Sequence, residues 1–231
     1  MNLADGILWY IVFLFSTVFH EAAHAFTAHK MGDSTAHKSG QVSLNPIPHI
    51  KREPIGTVIV PVLSFLAGGW MIGWASTPYN VQWAHDYPKK AAAMAAAGPI
   101  SNFILIIISA VIIHVGISSG FFYQPDSITI SGIVSGANSG WLEILAKIVS
   151  VMFSLNLILF VFNLLPFPPL DGSAIPPMYL SEDAGRKYIA FIRKPVFALA
   201  GLFVAWNLLD IIFNKIHLVV INLLYPGSNY H

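Results

Sequence analysis

The residues best equipped for chemistry lie together at His20-Glu21-Ala22-Ala23-His24. Two histidines four positions apart fall about 40° apart around a helix, so their imidazoles can converge on one cation. The glutamate between them lies beside that face, within reach of a proton on an attacking water. This HExxH spacing is the signature of zinc-dependent hydrolases. His20 and His24 are therefore candidate metal ligands, and Glu21 is the candidate general base. Two histidines and a glutamate held in apolar surroundings cost energy, which argues against a purely structural role.

A catalytic zinc usually takes three protein ligands and leaves one position for water. The chain has no cysteine, which excludes thiolate ligands, thiol nucleophiles and disulfides. A histidine six residues after the second is excluded because position 30 is lysine, and His29 is rotated about 140° from His24. Glu53 is the nearest downstream carboxylate, but within Lys51-Arg52-Glu53-Pro54 a solvated ion pair explains it. Asp171 is the stronger candidate. It closes Phe162-Asn163-Leu164-Leu165-Pro166-Phe167-Pro168-Pro169-Leu170-Asp171-Gly172, where prolines break a helix. Exposed backbone at membrane depth is tolerated only in a buried or watered site. Taken alone, an Asp-Gly after prolines also reads as a plain turn.

The elements that must position these groups are apolar. Of 231 residues, 55% are hydrophobic and 10% charged, and the mean hydropathy is +0.66, outside the range of soluble domains. A net charge of +1 with no dense Lys/Arg patch gives no reason to expect nucleic-acid binding. Four segments read as membrane helices, roughly 6–30, 92–117, 141–164 and 196–214, and 216–224 either extends the last or forms a short one. The first carries the HExxH and is expected to be retained rather than cleaved as a leader. Residues 1–231 read as a single integral-membrane domain.

The segment 55–75 is apolar enough to cross, but Pro61, Gly68, Gly69 and Gly73 interrupt it. Basic residues decide how it runs. Lys30, Lys38, Lys51, Arg52, Lys89, Lys90, Arg186, Lys187, Arg193 and Lys194 flank the helices, whereas 118–140 has no Lys or Arg. If 55–75 dips in and returns, every basic loop lies on one face, as the positive-inside rule requires. The N-terminus is then outside, and the HExxH sits toward the cytoplasmic side. The stretch Gln41–Asn45 reads as a short extended segment, a candidate edge strand for an unwound substrate, possibly with Trp74–Tyr79.

With these residues in place the chain resembles the site-2 protease family of intramembrane zinc metalloproteases, over most of its length. The HExxH at His20–His24 and the Asn163…Asp171-Gly172 element carry the resemblance. Ser43-Leu44-Asn45-Pro46, Ala97-Gly98-Pro99-Ile100-Ser101-Asn102 and the run 54–75 add to it and match the compact bacterial branch. The departure falls at Ser76-Thr77-Pro78, where that branch often carries a lysine. The resemblance implies one Zn²⁺ per chain held by His20, His24 and Asp171, with Glu21 as base. Asn163 and Asn102 would position substrate or oxyanion, and Ser43 and Asn45 would lie along the substrate. It further implies transmembrane or membrane-anchored protein substrates. The expected fold is all-α and polytopic, with four to six membrane helices in the cell membrane, a re-entrant segment near 55–75 and short extended segments near the site. A catalytically silent scaffold or metal-handling protein on the same fold is the alternative, and the presence of Glu21 weighs against it.

Overall fold

The computed structural model describes residues 2–138, 140–228 and 230, the Asp210 side chain excepted. Helix α1 spans Leu3–Lys30, capped by the Asn2 side chain, which accepts the Asp5 N–H at 2.7 Å. Short helices α2 (Thr35–Lys38) and α3 (Pro46–Arg52) follow, then a π-helical turn at Ile55–Ile59 that runs into α4 (Val60–Gly68). Next come α5 (Val81–Asp86) and the long α6 (Pro88–Ser118). A two-stranded antiparallel ribbon, β1 (Phe122–Tyr123) with β2 (Ser135–Gly136), leads to α7 (Trp141–Asn163). Two 3₁₀ turns, Asp171–Ala174 and Pro176–Tyr179, precede α8 (Glu182–Ile192) and α9 (Pro195–Leu224).

At 1.5 Å per residue, α1, α6 and α7 measure about 42, 46 and 34 Å, each longer than the ~30 Å hydrocarbon core. Among the described residues these three helices are long and apolar enough to cross a membrane. Counting α8 with the first half of α9, which meet at a 79° bend, gives four. That is the lower edge of the four to six expected. The chain is an all-α polytopic membrane protein. Residues 216–224 continue α9 rather than forming a separate helix. The helix expected to open near residue 92 begins at Pro88 and runs through Pro99, where the Ser101 hydroxyl donates to the Gly98 carbonyl at 2.7 Å.

Segment 55–75 doubles back. Ile55–Gly68 is 14 residues, about 21 Å, too short to cross. Gly69 then takes the left-handed conformation (φ 77°) that ends the helix. The returning chain reaches its own start: Trp74 N–H donates to the Gly56 carbonyl at 3.1 Å. Two glycines permit the approach. A Cβ at Gly56 would sit 2.3 Å from the Trp74 oxygen, and one at Gly73 would sit 2.2 Å from the Gly56 oxygen. Residues 71–80 then run without helix or strand.

The expected strand at Gln41–Asn45 is a series of bends instead. Asn45 is the N-cap of α3, its side chain accepting the Ile47 N–H at 3.0 Å, with Pro46 favouring the first helical position. The Ser43 hydroxyl accepts the Asn45 N–H at 3.0 Å, and the His49 ring lies 3.1 Å from the Ser43 carbonyl. These local bonds fold the segment on itself.

Two apolar clusters hold the bundle. Ile113, Val149, Phe153 and Ile221 join α6, α7 and α9, with Ile133 from the loop after β1. Trp9, Phe13, Phe65, Met71 and Leu155 lock the doubled-back segment between α1 and α7. Full burial of side chains of this size stabilises by roughly 1.5–3 kcal/mol each where water is the alternative, and in lipid the same packing acts through close contact.

Candidate active site

Helix α1 presents His20, Glu21 and His24 toward the bundle, each 5–6% exposed. The proline-rich turn after α7 brings Asp171 back to them, about 150 residues later in the chain. The turn is tight: a Cβ at Gly172 would lie 2.3 Å from the Leu164 carbonyl oxygen. It is also pinned, because the Tyr188 hydroxyl of α8 donates to the Ser173 carbonyl at 3.0 Å. Asp171 Oδ2 lies 3.1 Å from His20 Nε2 and 3.3 Å from His24 Nε2, and the two Nε2 atoms are 3.0 Å apart.

With both imidazoles neutral, these three atoms have no proton to share. His24 Nδ1 faces the Met94 carbonyl at 2.7 Å, which can only accept, so Nδ1 carries the hydrogen and Nε2 a lone pair. His20 Nδ1 faces Asn102 Oδ1 at 2.6 Å, which sets the same tautomer. Buried Asp171 Oδ2 has no hydrogen-bond partner among the described residues. Three lone-pair atoms therefore face one another. Their spacing of 3.0–3.3 Å is close to the edge, about 3.3 Å, of a tetrahedron with metal–ligand bonds of about 2.0–2.1 Å. A divalent cation that prefers nitrogen and oxygen donors fits this set. Gly98 of α6 supplies the room, since a Cβ there would lie 2.3 Å from His24 Nε2 and 2.5 Å from His20 Nε2.

Glu21 also lies close, its carboxylate oxygen within 4.8 Å of both imidazole donors. The Thr77 hydroxyl is 2.7 Å from Glu21 Oε2 and 2.9 Å from the Glu21 carbonyl. Thr77 is held in place from both sides along the chain. Trp74 is tied to Gly56, and the Asn80 N–H donates to Asp33 Oδ2 at 2.7 Å. Asp33 Oδ1 also accepts from the Thr35 N–H and hydroxyl, at 3.0 and 2.5 Å. Burial pushes the Asp33 carboxyl up, but the hydrogen bonds from Thr35 and Asn80 and the nearby Lys38 outweigh it and hold it below the usual carboxylate range.

The other expected residues are placed differently. Asn102 is fully buried with both polar ends engaged, by His20 and by Asn156. Asn163 is the last residue of α7, and its side chain has no hydrogen-bond partner among the described residues. Ser43 and Asn45 form the α3 cap. Glu53, the rejected third ligand, accepts from the Ser76 hydroxyl at 2.6 Å. The roles of Thr77 and of the Met94 carbonyl escaped the sequence, for nothing local marks a threonine or a backbone oxygen as part of a site 56 or 70 residues away. The Gly98-Pro99 pair was the one available signal, since glycine in a helix costs about 1 kcal/mol unless something packs against it.

A cleft of about 390 Å³ opens onto the site. Glu21, His24 and Asp171 lie in its lining, with Ala75–Thr77 and Tyr79 contributing from the doubled-back segment and Ile192 and Arg193 from α8 and its end. The Arg193 guanidinium sits 5.5 Å over the Tyr79 ring, joining these contributors.

Comparison with known proteins gives a family for the chain. The family model described as Peptidase family M50 matches residues 8–207. A Bacillus subtilis protein named "Putative zinc metalloprotease YwhC" is 35% identical over 211 residues, covering 87% of this chain and 84% of its own length. A Mycolicibacterium smegmatis protein named "Putative zinc metalloprotease Rip2" is 28% identical over 173 residues, 75% of this chain and 57% of its own length. No solved structure gives a significant match. With a His-Glu-His group on α1 and a family match over most of its length, the chain belongs to peptidase family M50, the site-2 protease family of zinc metalloproteases.

Proposed function

We propose that the chain is an intramembrane endopeptidase that hydrolyses peptide bonds of transmembrane or membrane-anchored proteins, with one zinc held by His20, His24 and Asp171. The observation that carries this reading is where the donors lie. His20 is ten residues, about 15 Å, from the Lys30 end of a helix about 42 Å long. The site thus falls within the apolar bundle.

Zinc, when bound, supplies a Lewis acid for the scissile carbonyl and lowers the pKa of a water to about 7. Glu21 takes a proton from the attacking water and returns it to the leaving amine, a role worth about 10²–10⁴ in rate. The Thr77 hydroxyl holds Oε2, and Oε1 has no partner among the described residues, which leaves it to receive that proton. Asn163, with its amide unengaged, is the candidate oxyanion donor.

A helical substrate must unwind before it can be cut, and bare backbone in lipid costs several kcal/mol per group. The N–H groups of Ala75 and Thr77 donate to no described acceptor and line the cleft beside Glu21. Residues 74–79 are accordingly the segment proposed to pair with the unwound substrate, in place of 41–45. The Lys/Arg distribution supports an N-terminus outside and a site toward the cytoplasmic side of the cell membrane.

The test is Glu21→Gln, assayed on a transmembrane substrate found by comparing membrane proteomes of cells carrying each form. The variant should keep one zinc per chain and lose at least 100-fold in turnover. Full turnover by Glu21→Gln would overturn the assignment of the base. Activity confined to soluble peptides, in wild type as well, would overturn the substrate class.

A further inference from the structure

A buried polar line runs from His20 into the centre of the bundle. Asn102 Oδ1 meets His20 Nδ1 at 2.6 Å, and the Asn102 amide donates to Asn156 Oδ1 at 2.8 Å. The Asn156 amide in turn donates to the Met152 carbonyl at 2.8 Å and to the Ser16 hydroxyl oxygen at 2.9 Å. Ser16, Asn102 and Asn156 are each 0% exposed, on α1, α6 and α7. None of them titrates in any ordinary pH range.

The line has a direction, and a backbone atom sets it. The Met152 carbonyl can only accept, so Asn156 must turn its NH₂ toward it and its oxygen toward Asn102. Asn102 must then offer its NH₂ to Asn156 and its oxygen to His20. With an oxygen there, His20 Nδ1 must carry the hydrogen. Its Nε2 is left as a lone pair aimed at His24 Nε2 and Asp171 Oδ2. Reversing either amide would set oxygen against oxygen or NH₂ against a protonated nitrogen, in a place where an unmade hydrogen bond is expensive.

We infer that Asn102 and Asn156 are positioning residues that hold His20 in its metal-binding tautomer, Asn102 directly and Asn156 by orienting Asn102. This rests on the reading of His20 as a metal ligand. It removes Asn102 from the substrate or oxyanion role, because both its polar ends are used inside the bundle. His24 needs no such device, since its Nδ1 meets the Met94 carbonyl directly. The two ligands are thus oriented by backbone carbonyls, one at first hand and one through two amides.

The experiment measures zinc affinity by chelator competition on purified protein in detergent, with cobalt absorption spectra as a second readout. His20→Ala tests the underlying reading, and must weaken zinc for the metal site itself to stand. Asn102→Ala should weaken zinc about 10- to 100-fold and change the cobalt ligand-field bands. Asn156→Ala should weaken it several-fold, because Asn102 is then free to turn. Ser16→Ala should leave affinity within twofold, since the Met152 carbonyl still directs Asn156. Asn102→Asp should restore most of the affinity, as it keeps an acceptor for Nδ1–H and, protonated, a donor for Asn156. Zinc affinity and cobalt spectrum unchanged in both Asn102→Ala and Asn156→Ala, with His20→Ala impaired, would overturn the inference while sparing the metal site. A loss in Asn102→Ala with none in Asn156→Ala would overturn the relay. Unfolding temperatures of the metal-free variants separate these outcomes from a general loss of fold, which Asn102→Asp should not suffer.

Discussion

Gly98→Ala is the sharpest probe of how the metal site is built. The added methyl would lie 2.3 Å from His24 Nε2 and 2.5 Å from His20 Nε2, where contact between such atoms needs about 3.5 Å. Both imidazoles would have to retreat by about 1 Å. Metal sites tolerate about 0.2 Å in ligand distance, so the displacement is several times what the donors can absorb. Zinc affinity should fall at least 100-fold, and turnover with it. The fold should fare better. Overpacking costs about 1–3 kcal/mol, against which alanine gains about 0.8–1.0 kcal/mol over glycine in a helix interior. The metal-free variant should therefore lose no more than about 2 kcal/mol. The assay is zinc per chain at fixed free zinc, beside thermal unfolding of the metal-free protein. Gly6→Ala is the control, because its Cβ meets only the edge of the Phe65 ring, at 3.0 Å. Zinc affinity within threefold of wild type in Gly98→Ala, with normal turnover, would falsify the steric account.

Thr77→Val removes the hydroxyl that holds Glu21 and keeps the shape of the side chain. Turnover should drop about 10- to 100-fold with KM and zinc content unchanged, and Thr77→Ser should recover most of it; a rise in KM alone would assign Thr77 to substrate binding. Asp33 has a folded pKa held below its unfolded value of about 3.9. Its contribution to stability is accordingly present above that pH and lost as pH falls through the depressed value. Asp33→Asn should unfold at a lower temperature than wild type at pH 7, and the gap should narrow as pH falls below about 3.9; a gap that is constant with pH would show that the charge plays no part. For topology, single cysteines at Ser39, Asp86 and Asp183, all exposed, should react from one side of the membrane and one at Ser127 from the other. Opposite labelling at Ser39 and Asp86 would show that 55–75 crosses.

What could be read from the sequence was whatever covalent spacing or composition controls. His20 and His24 share a face because four residues nearly complete a helical turn. The long helices follow from unbroken apolar runs, and the doubling back of 55–75 from where lysines and arginines fall. The turn that carries Asp171 was legible because prolines stop a helix wherever they occur in series. The failures share a cause. Gln41–Asn45 alternates like a strand, but Asn45 and Ser43 hydrogen-bond to backbone within two residues, and so local capping won. Thr77 reaches Glu21 across 56 residues, and Asn102 turns toward His20 because Met152 faces Asn156. Such orientations are set by which helices pack together, and no pattern along one segment carries them.

The lateness of Asp171 in the chain has a bearing on how a membrane-embedded protease is made. The three proposed donors stand at positions 20, 24 and 171, and the last reaches the first two only after α7 has inserted and the proline turn has folded back. A nascent chain that has emerged as far as α6 can offer an ion two imidazoles and no carboxylate from that turn. On the proposed ligand set, catalytic competence is therefore deferred until that turn has folded against α1.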